Sequence, residues 1–325
     1  QDQGQTVLAR GVLEAGSDGW SYGLDAQMDG VTPERLLALW PQGAVPKTRA
    51  WLLQNLLGGS LSNLDAVLRN APGAPPSAYV SFDYADADVR YVKTLPPVTK
   101  ASGTASLLDH RFVVTVDQGQ VIAPEGGAID VAGSSFIIPD VRAKQGPPAV
   151  VRLETRGSVT AALAMLDAPP LSIMTKADLP VAIADGYLQA EGTMSLPLRK
   201  GLKPGELVFD ARGTAREVRS ARLIEGRTLA TSTLQVVANN VGVEISGLGT
   251  LDGIPFQAIW DQPIGSGPQP STVSGTMELS ERTDTALNLG LPPGLLTGQG
   301  IGRVRVTLPV DDTAPAFQVE TDLRG

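Results

Sequence analysis

Alternation of apolar and polar residues recurs along most of this chain, and it leaves few folds open. Val80, Phe82 and Tyr84 alternate with Ser81 and Asp83, and Phe112, Val114 and Val116 alternate with Val113, Thr115 and Asp117. The same rhythm returns in Leu207, Phe209 and Ala211, in Leu234, Val236 and Ala238, and in Val241, Val243 and Ile245. Phe256, Ala258 and Trp260 follow, then Val304, Val306 and Leu308, and finally Phe317, Val319 and Thr321. Successive side chains of an extended strand point to opposite faces, so each run presents one apolar and one polar face. Strands of that kind build antiparallel sheet, because parallel strands are buried on both faces and read as continuous apolar runs. The 36 glycines and 25 prolines, with no Gly-X-Y period, supply many turns between short strands. Two strands near Val7–Leu13 and Trp20–Met28 are joined by Gly16-Ser17-Asp18-Gly19.

One stretch departs from this pattern. Pro33 and Glu34 suit a first helical turn with Thr32 as N-cap, and Leu36, Leu37, Leu39 and Trp40 form its apolar surface before Pro41. A second helix begins near Pro46, with Ala50, Leu53 and Leu57 as its stripe, widened by Trp51, Leu52 and Leu56. Gly58 and Gly59 are expected to end it. Leu61 to Arg69 fits a strand or a short helix. Residues 71–76 (Ala-Pro-Gly-Ala-Pro-Pro) form a break, and Pro169-Pro170 a second one. Val150 to Leu163 reads as strand. The expected organisation is residues 1–70, strands plus the helical pair, followed by residues 71–325. The second part reads as a repeated β-meander with units near 78–168, 204–262 and 272–325, continuous with the first.

Composition excludes several chemistries. A net charge of −8 and a pI near 4.8 argue against a nucleic-acid partner, which needs clustered cations. The absence of cysteine excludes disulfides, thiolate catalysis and iron–sulfur clusters. No run approaches the roughly 18 consecutive apolar residues of a membrane span. The chain starts at Gln1 without a methionine or signal-like region, and is expected to be a portion of something longer whose anchor lies outside it.

Catalytic constellations are scarce. His110, the single histidine, lies between Asp109 and Arg111 at the start of a strand and reads as a turn residue. There is no Gly-x-Ser-x-Gly elbow and no phosphate-binding loop, and Gly247-Leu248-Gly249 reads as a turn. Asp83 to Asp88 lacks the glycine and distal glutamate of a calcium loop. Asp86 with Asp88, and Glu320 with Asp322, share strand faces and read as solvated decoration; the second pair is the one a glycan hydrolase would use. No metal site and no cofactor are expected. What remains is an excess of apolar strand face, covered either by closure into a sandwich or barrel, or by a ligand held in a curled, elongated sheet.

The order of several short motifs resembles the AsmA-like periplasmic proteins, specifically the YhdP-type (DUF3971-like) domain. The matches are Trp40-Pro41, Arg49-Ala50-Trp51 running into Asn55-Leu56-Leu57-Gly58-Gly59, and Tyr91-Val92-Lys93-Thr94-Leu95-Pro96-Pro97. Gly103-Thr104-Ala105-Ser106-Leu107, Gly133 to Asp140, Leu166-Asp167-Ala168-Pro169-Pro170-Leu171 and Leu196-Pro197-Leu198 follow in order. The resemblance implies a bridge-like lipid-transfer protein in the periplasm of a Gram-negative bacterium. It also implies tethering to the inner membrane by an anchor absent here, and a link to outer-membrane integrity. It brings no catalytic residues with it.

Together the alternation and the resemblance lead to a mainly β expectation: an elongated, curled antiparallel sheet of repeated meanders forming a β-groove, with a short helical pair near the N-terminus. Its function is expected to be non-enzymatic carriage of phospholipid or other acyl-chain lipid. Phe82, Val114, Val116, Phe209, Val236, Ile245, Phe256, Val306 and Val319 are expected to line the groove, and Trp40 and Trp51 to cap one end of it. Outer-membrane or periplasmic proteins are further expected partners. The alternative is a structural or scaffold β-module of the cell envelope with a closed core.

Overall fold

Most of the alternating apolar runs of the sequence become strands of one antiparallel sheet. The computed structural model describes residues 7–321, apart from residues 41, 43–44, 144–145, 200, 202, 204, 266, 289, 291, 293, 295–296 and 311–312. Its strands form one 18-stranded antiparallel sheet. The first half comprises β1 (Val7–Gly16), β2 (Gly19–Val31), β3 (Leu56–Asn70), β4 (Ser77–Val89), β5 (Val98–Leu108), β6 (Arg111–Thr115), β7 (Gln118–Ile122), β8 (Ala128–Asp130) and β9 (Ser135–Ile138). The second half comprises β10 (Pro148–Ser158), β11 (Asp185–Pro197), β12 (Val208–Ser220), β13 (Leu229–Asn239), β14 (Gly242–Leu251), β15 (Ile254–Pro263), β16 (Ser271–Ser280), β17 (Gln299–Leu308) and β18 (Ala316–Thr321).

The sheet is a meander from β1 to β5 and again from β10 to β18. Between them the chain splits two strand positions into halves. β6 and β7 lie end to end along β5, and β9 and β8 lie end to end between that pair and β10. The 71–76 break is therefore the connection between paired strands β3 and β4, and the sheet passes through it without interruption.

Five short helices interrupt the strands: α1 (Pro33–Leu39), α2 (Pro46–Asn55), α3 (Val159–Asp167), α4 (Ile173–Lys176) and α5 (Glu281–Leu287). They follow β2, β10 and β16, which the antiparallel alternation points in the same direction, so all five lie at one end of the strands. The switch from strand to helix has a local cause. Thr32 Oγ1 accepts from the Arg35 N–H at 3.4 Å, Ser158 Oγ from Ala161 at 3.0 Å and Ser280 Oγ from Thr283 at 3.4 Å. Each of these residues ends or follows a strand and caps the helix after it. Two sequence expectations are corrected here. The second helix stops at Asn55, and Gly58 and Gly59 belong to β3, where a Cβ on Gly59 would lie 2.9 Å from the Ala87 Cα. Val150 to Leu163 is strand only to Ser158, and the alanine-rich remainder is α3.

The buried core is concentrated at that helical end. Val121, Ala123, Ile129 and Val131 pack with Ala161 and Ala164 of α3. Val31, Leu61 and Leu64 pack with Leu36 of α1. The strands also bend there. Asn63, Asp86, Lys100 and Glu217 take left-handed backbone angles inside β3, β4, β5 and β12, and the pairing registers slip beside them, for Glu217 against β11. Such bulges kink a strand and increase its twist, so a row of them curls the sheet over its helical rim. Elsewhere the sheet stays open: among the described residues nothing pairs with the outer side of β1 or β18. The total accessible surface is 20591 Å², against about 12,800 Å² for a compact chain of this mass.

Candidate functional site: an apolar face shared by the whole sheet

Residues directly opposite one another in paired strands put their side chains on the same face, so the registers trace each face across the sheet. One row runs Phe82, Ala105, Val114, Phe136, Val151, Met194, Phe209, each the cross-strand partner of the next from β4 to β12. A second runs Ala190, Gly213, Val236, Ile245, Trp260, Val273, Val306, Phe317 from β11 to β18. The two share β11 and β12, where Ala190 and Met194 lie on one face. On the opposite face the row beside the second reads Gln189, Thr214, Gln235, Ser246, Ile259, Ser274, Arg305, Gln318. One face is apolar across both rows; the other is polar beside the second row and mixed beside the first, where Val113, Ile137, Val150 and Val208 alternate with Ser106 and Ser195.

Eight of the nine expected lining residues fall on this apolar face. Phe82, Val114, Phe209, Val236, Ile245, Phe256 and Val306 are half-buried, and Val319 on the terminal strand is 55% exposed. Val116 is the exception. It lies past the end of β6, exchanges backbone hydrogen bonds with Gly133 and Ser134, and packs into the cluster beneath α3. The two tryptophans separate as well. Trp40 is half-buried at the C-cap of α1, whose Leu36 reaches the core, whereas Trp51 is 45% exposed on α2, none of whose residues is buried. Pro41 of the Trp-Pro motif lies outside the described residues.

Phe136, Val151 and Met194 were not singled out from the sequence, although alternation in Leu188, Ala190, Gly192, Met194 and Leu196 was there to be read. Helix α3, which packs on Val121, Ile129 and Val131, was also missed. Its signal was Ser158 followed by Ala161, Ala162, Leu163 and Ala164, a cap followed by helix formers.

The polar groups are engaged in holding the fold. Asp140 accepts two side-chain hydrogen bonds from Arg142 at 2.9 Å, which with the Arg142 backbone N–H lowers its carboxyl to about 2. Asp167 is lowered by the Thr175 backbone and hydroxyl, at 2.8 and 2.7 Å, which tie α3 to α4. Asp88 accepts from the Lys100 N–H at 3.0 Å, and Asp86 sits at a bulge. His110 occupies the two-residue turn between β5 and β6 with φ 70°. Glu320 lies on the polar face of β18, and its expected partner Asp322 is outside the described residues. Among the described residues no group of three or more His, Cys, Asp or Glu could hold a metal ion. No helix there is long and apolar enough to cross a membrane.

No protein-family model, no curated protein and no solved structure matches the chain.

Proposed function

We propose that this chain carries lipid acyl chains on the apolar face of its sheet, as a non-enzymatic segment of a lipid-transfer protein. The observation that supports this reading is the pair of overlapping rows of mostly half-buried apolar side chains, one from Phe82 to Phe209 and one from Val236 to Phe317. A closed sandwich would bury such a face, and an open sheet in water would leave it costly to solvate. Each methylene laid against it contributes about 0.8 kcal/mol, so a dozen contribute roughly 10 kcal/mol before ordering costs. The face offers area and few polar anchors, which suits acyl chains and gives little discrimination among head groups. The motif order that resembles the AsmA-like proteins extends the proposal to a location: the Gram-negative periplasm, with the inner membrane as one partner through an anchor outside this chain.

The test is organic extraction of the purified protein followed by mass spectrometry. Phospholipid is expected to co-purify, and Phe209→Glu is expected to abolish it with an unchanged circular dichroism spectrum. A lipid-free wild-type protein, or a Phe209→Glu variant that unfolds, would favour a closed structural module instead.

A further inference from the structure

We propose that the outer edge of β1 pairs with β1 of a second copy of this chain, forming a two-fold dimer. This rests on the edge geometry and is independent of the lipid reading. β1 keeps an unbroken ten-residue register with β2 and contains no proline, lysine or bulge, the usual means of blunting an edge. All ten of its residues are exposed, with Leu8 and Val12 at 62% and Leu13 at 66%.

The backbone phase fixes which groups face outward. The two-residue turn closes on the Gly16–Gly19 pair, which makes that pair hydrogen-bonded, and pairs alternate from there. Ala9, Gly11, Leu13 and Ala15 therefore turn their N–H and C=O groups away from β2. The carbonyls of their partners agree with this phase. Trp20, opposite Ala15, accepts from Asn70 Nδ2 at 3.1 Å, and Leu24, opposite Gly11, accepts from Arg69 Nη1 at 3.1 Å, both toward β3.

One antiparallel register satisfies this phase and the charges together. With Val12 opposite Val12 of the second copy, Gly11 meets Leu13 and Ala9 meets Ala15 as hydrogen-bonded pairs on the apolar face. Arg10 then meets Glu14, twice by symmetry, as a non-hydrogen-bonded pair, the closer of the two kinds. Among the described residues neither Arg10 nor Glu14 has an ion pair in its own chain, since Asp25, opposite Arg10, is held by Arg69 at 2.6 Å. A two-fold axis normal to the sheet keeps both apolar faces on one side and closes the assembly as an isologous dimer.

Light scattering of the full chain tests this, with dichroism as the check on folding. A mass of twice 33.9 kDa is expected. Arg10→Glu places like charges opposite one another and is expected to halve that mass, and the exchange Arg10→Glu with Glu14→Arg to restore it. Gly11→Pro removes only an outward N–H and is expected to give folded monomer. Because the chain has no cysteine, Val12→Cys is expected to oxidise to a disulfide-linked dimer, while Val241→Cys, 77% exposed at a distant turn, is not. A monomeric wild type overturns the proposal. So does a dimer indifferent to Arg10→Glu and Gly11→Pro, or one lost instead on Phe317→Asp in β18.

Discussion

Tyr84 donates its hydroxyl to the Thr115 carbonyl at 2.6 Å, pinning β4 to the point where β6 gives way to β7. Gly103 lies between them, and a Cβ there would overlap the Thr115 oxygen. Burial, and then the Asp117 charge, push the Tyr84 phenol up to about 12. The folded state thus keeps this proton where an unfolded tyrosine, titrating near 10, has lost it. Stability is expected to fall as pH rises from about 10 to about 12. Urea unfolding across that range checks this: Tyr84→Phe should flatten the decline, and an identical slope in the variant would show that other groups cause it.

Burial differs sharply between apolar side chains at the same end of the sheet, so equal truncations should have unequal effects. Ile254, 0% exposed, is expected to cost about 2–5 kcal/mol on change to Ala. Ile301, 72% exposed on β17, is expected to stay within about 0.5 kcal/mol. Denaturant midpoints measure both, and similar losses would place the core elsewhere.

Curvature requires close approach at Gly275, opposite Ala258 in the β15–β16 pair. A Cβ on Gly275 would overlap the Gln257 oxygen and lie 2.8 Å from the Ala258 Cα. Gly275→Val is expected to destabilise by about 1–3 kcal/mol or more, as overpacking does. Gly267→Val, with open space around it, should be near neutral. Thermal unfolding of the two variants distinguishes them, and a tolerated valine at 275 would mean a flatter sheet.

Arg227 holds the last turn of α5, donating to the Ala286 and Leu287 carbonyls at 2.5 Å each and to Asp252 at 3.1 Å. Asp252 also accepts the Thr228 N–H, the main cause of its lowered carboxyl pKa. A lowered folded pKa means stability present above the ordinary carboxylate pKa and lost as pH falls through the folded one. Hydrogen exchange should show α5 amides deprotected by Arg227→Met, and by acidification in the wild type, while β12–β15 stay protected. Unchanged α5 protection would remove Arg227 from that role.

The strands and their faces were legible because a period of two survives whatever the tertiary structure does with it. Phe209, Val236 and Ile245 could be placed on one face from alternation alone. Gly58 and Gly59 misled for a physical reason: glycine after an apolar helical run signals a C-cap, yet here Gly59 allows the backbone to approach Ala87. The row of bulges at Asn63, Asp86, Lys100 and Glu217 left no pattern in sequence, since each is set by its neighbouring strand. Trp51 was expected on the apolar stripe of the second helix, but α2 follows Val45 without a side-chain cap bond and buries none of its residues. The split of two strand positions into β6/β7 and β9/β8 is a long-range pairing that no local window contains.

The lipid reading is tested most directly at two adjacent residues. Val236 and Val237 are neighbours in β13, and the pleat puts Val236 on the apolar face opposite Ile245 and Val237 on the polar face opposite Glu244. A photo-crosslinking amino acid at each position, irradiated in cells and followed by mass spectrometry, reads which face meets lipid. Lipid adducts at 236 and none at 237 are the predicted result. Equal labelling at both, or none at 236, would contradict it.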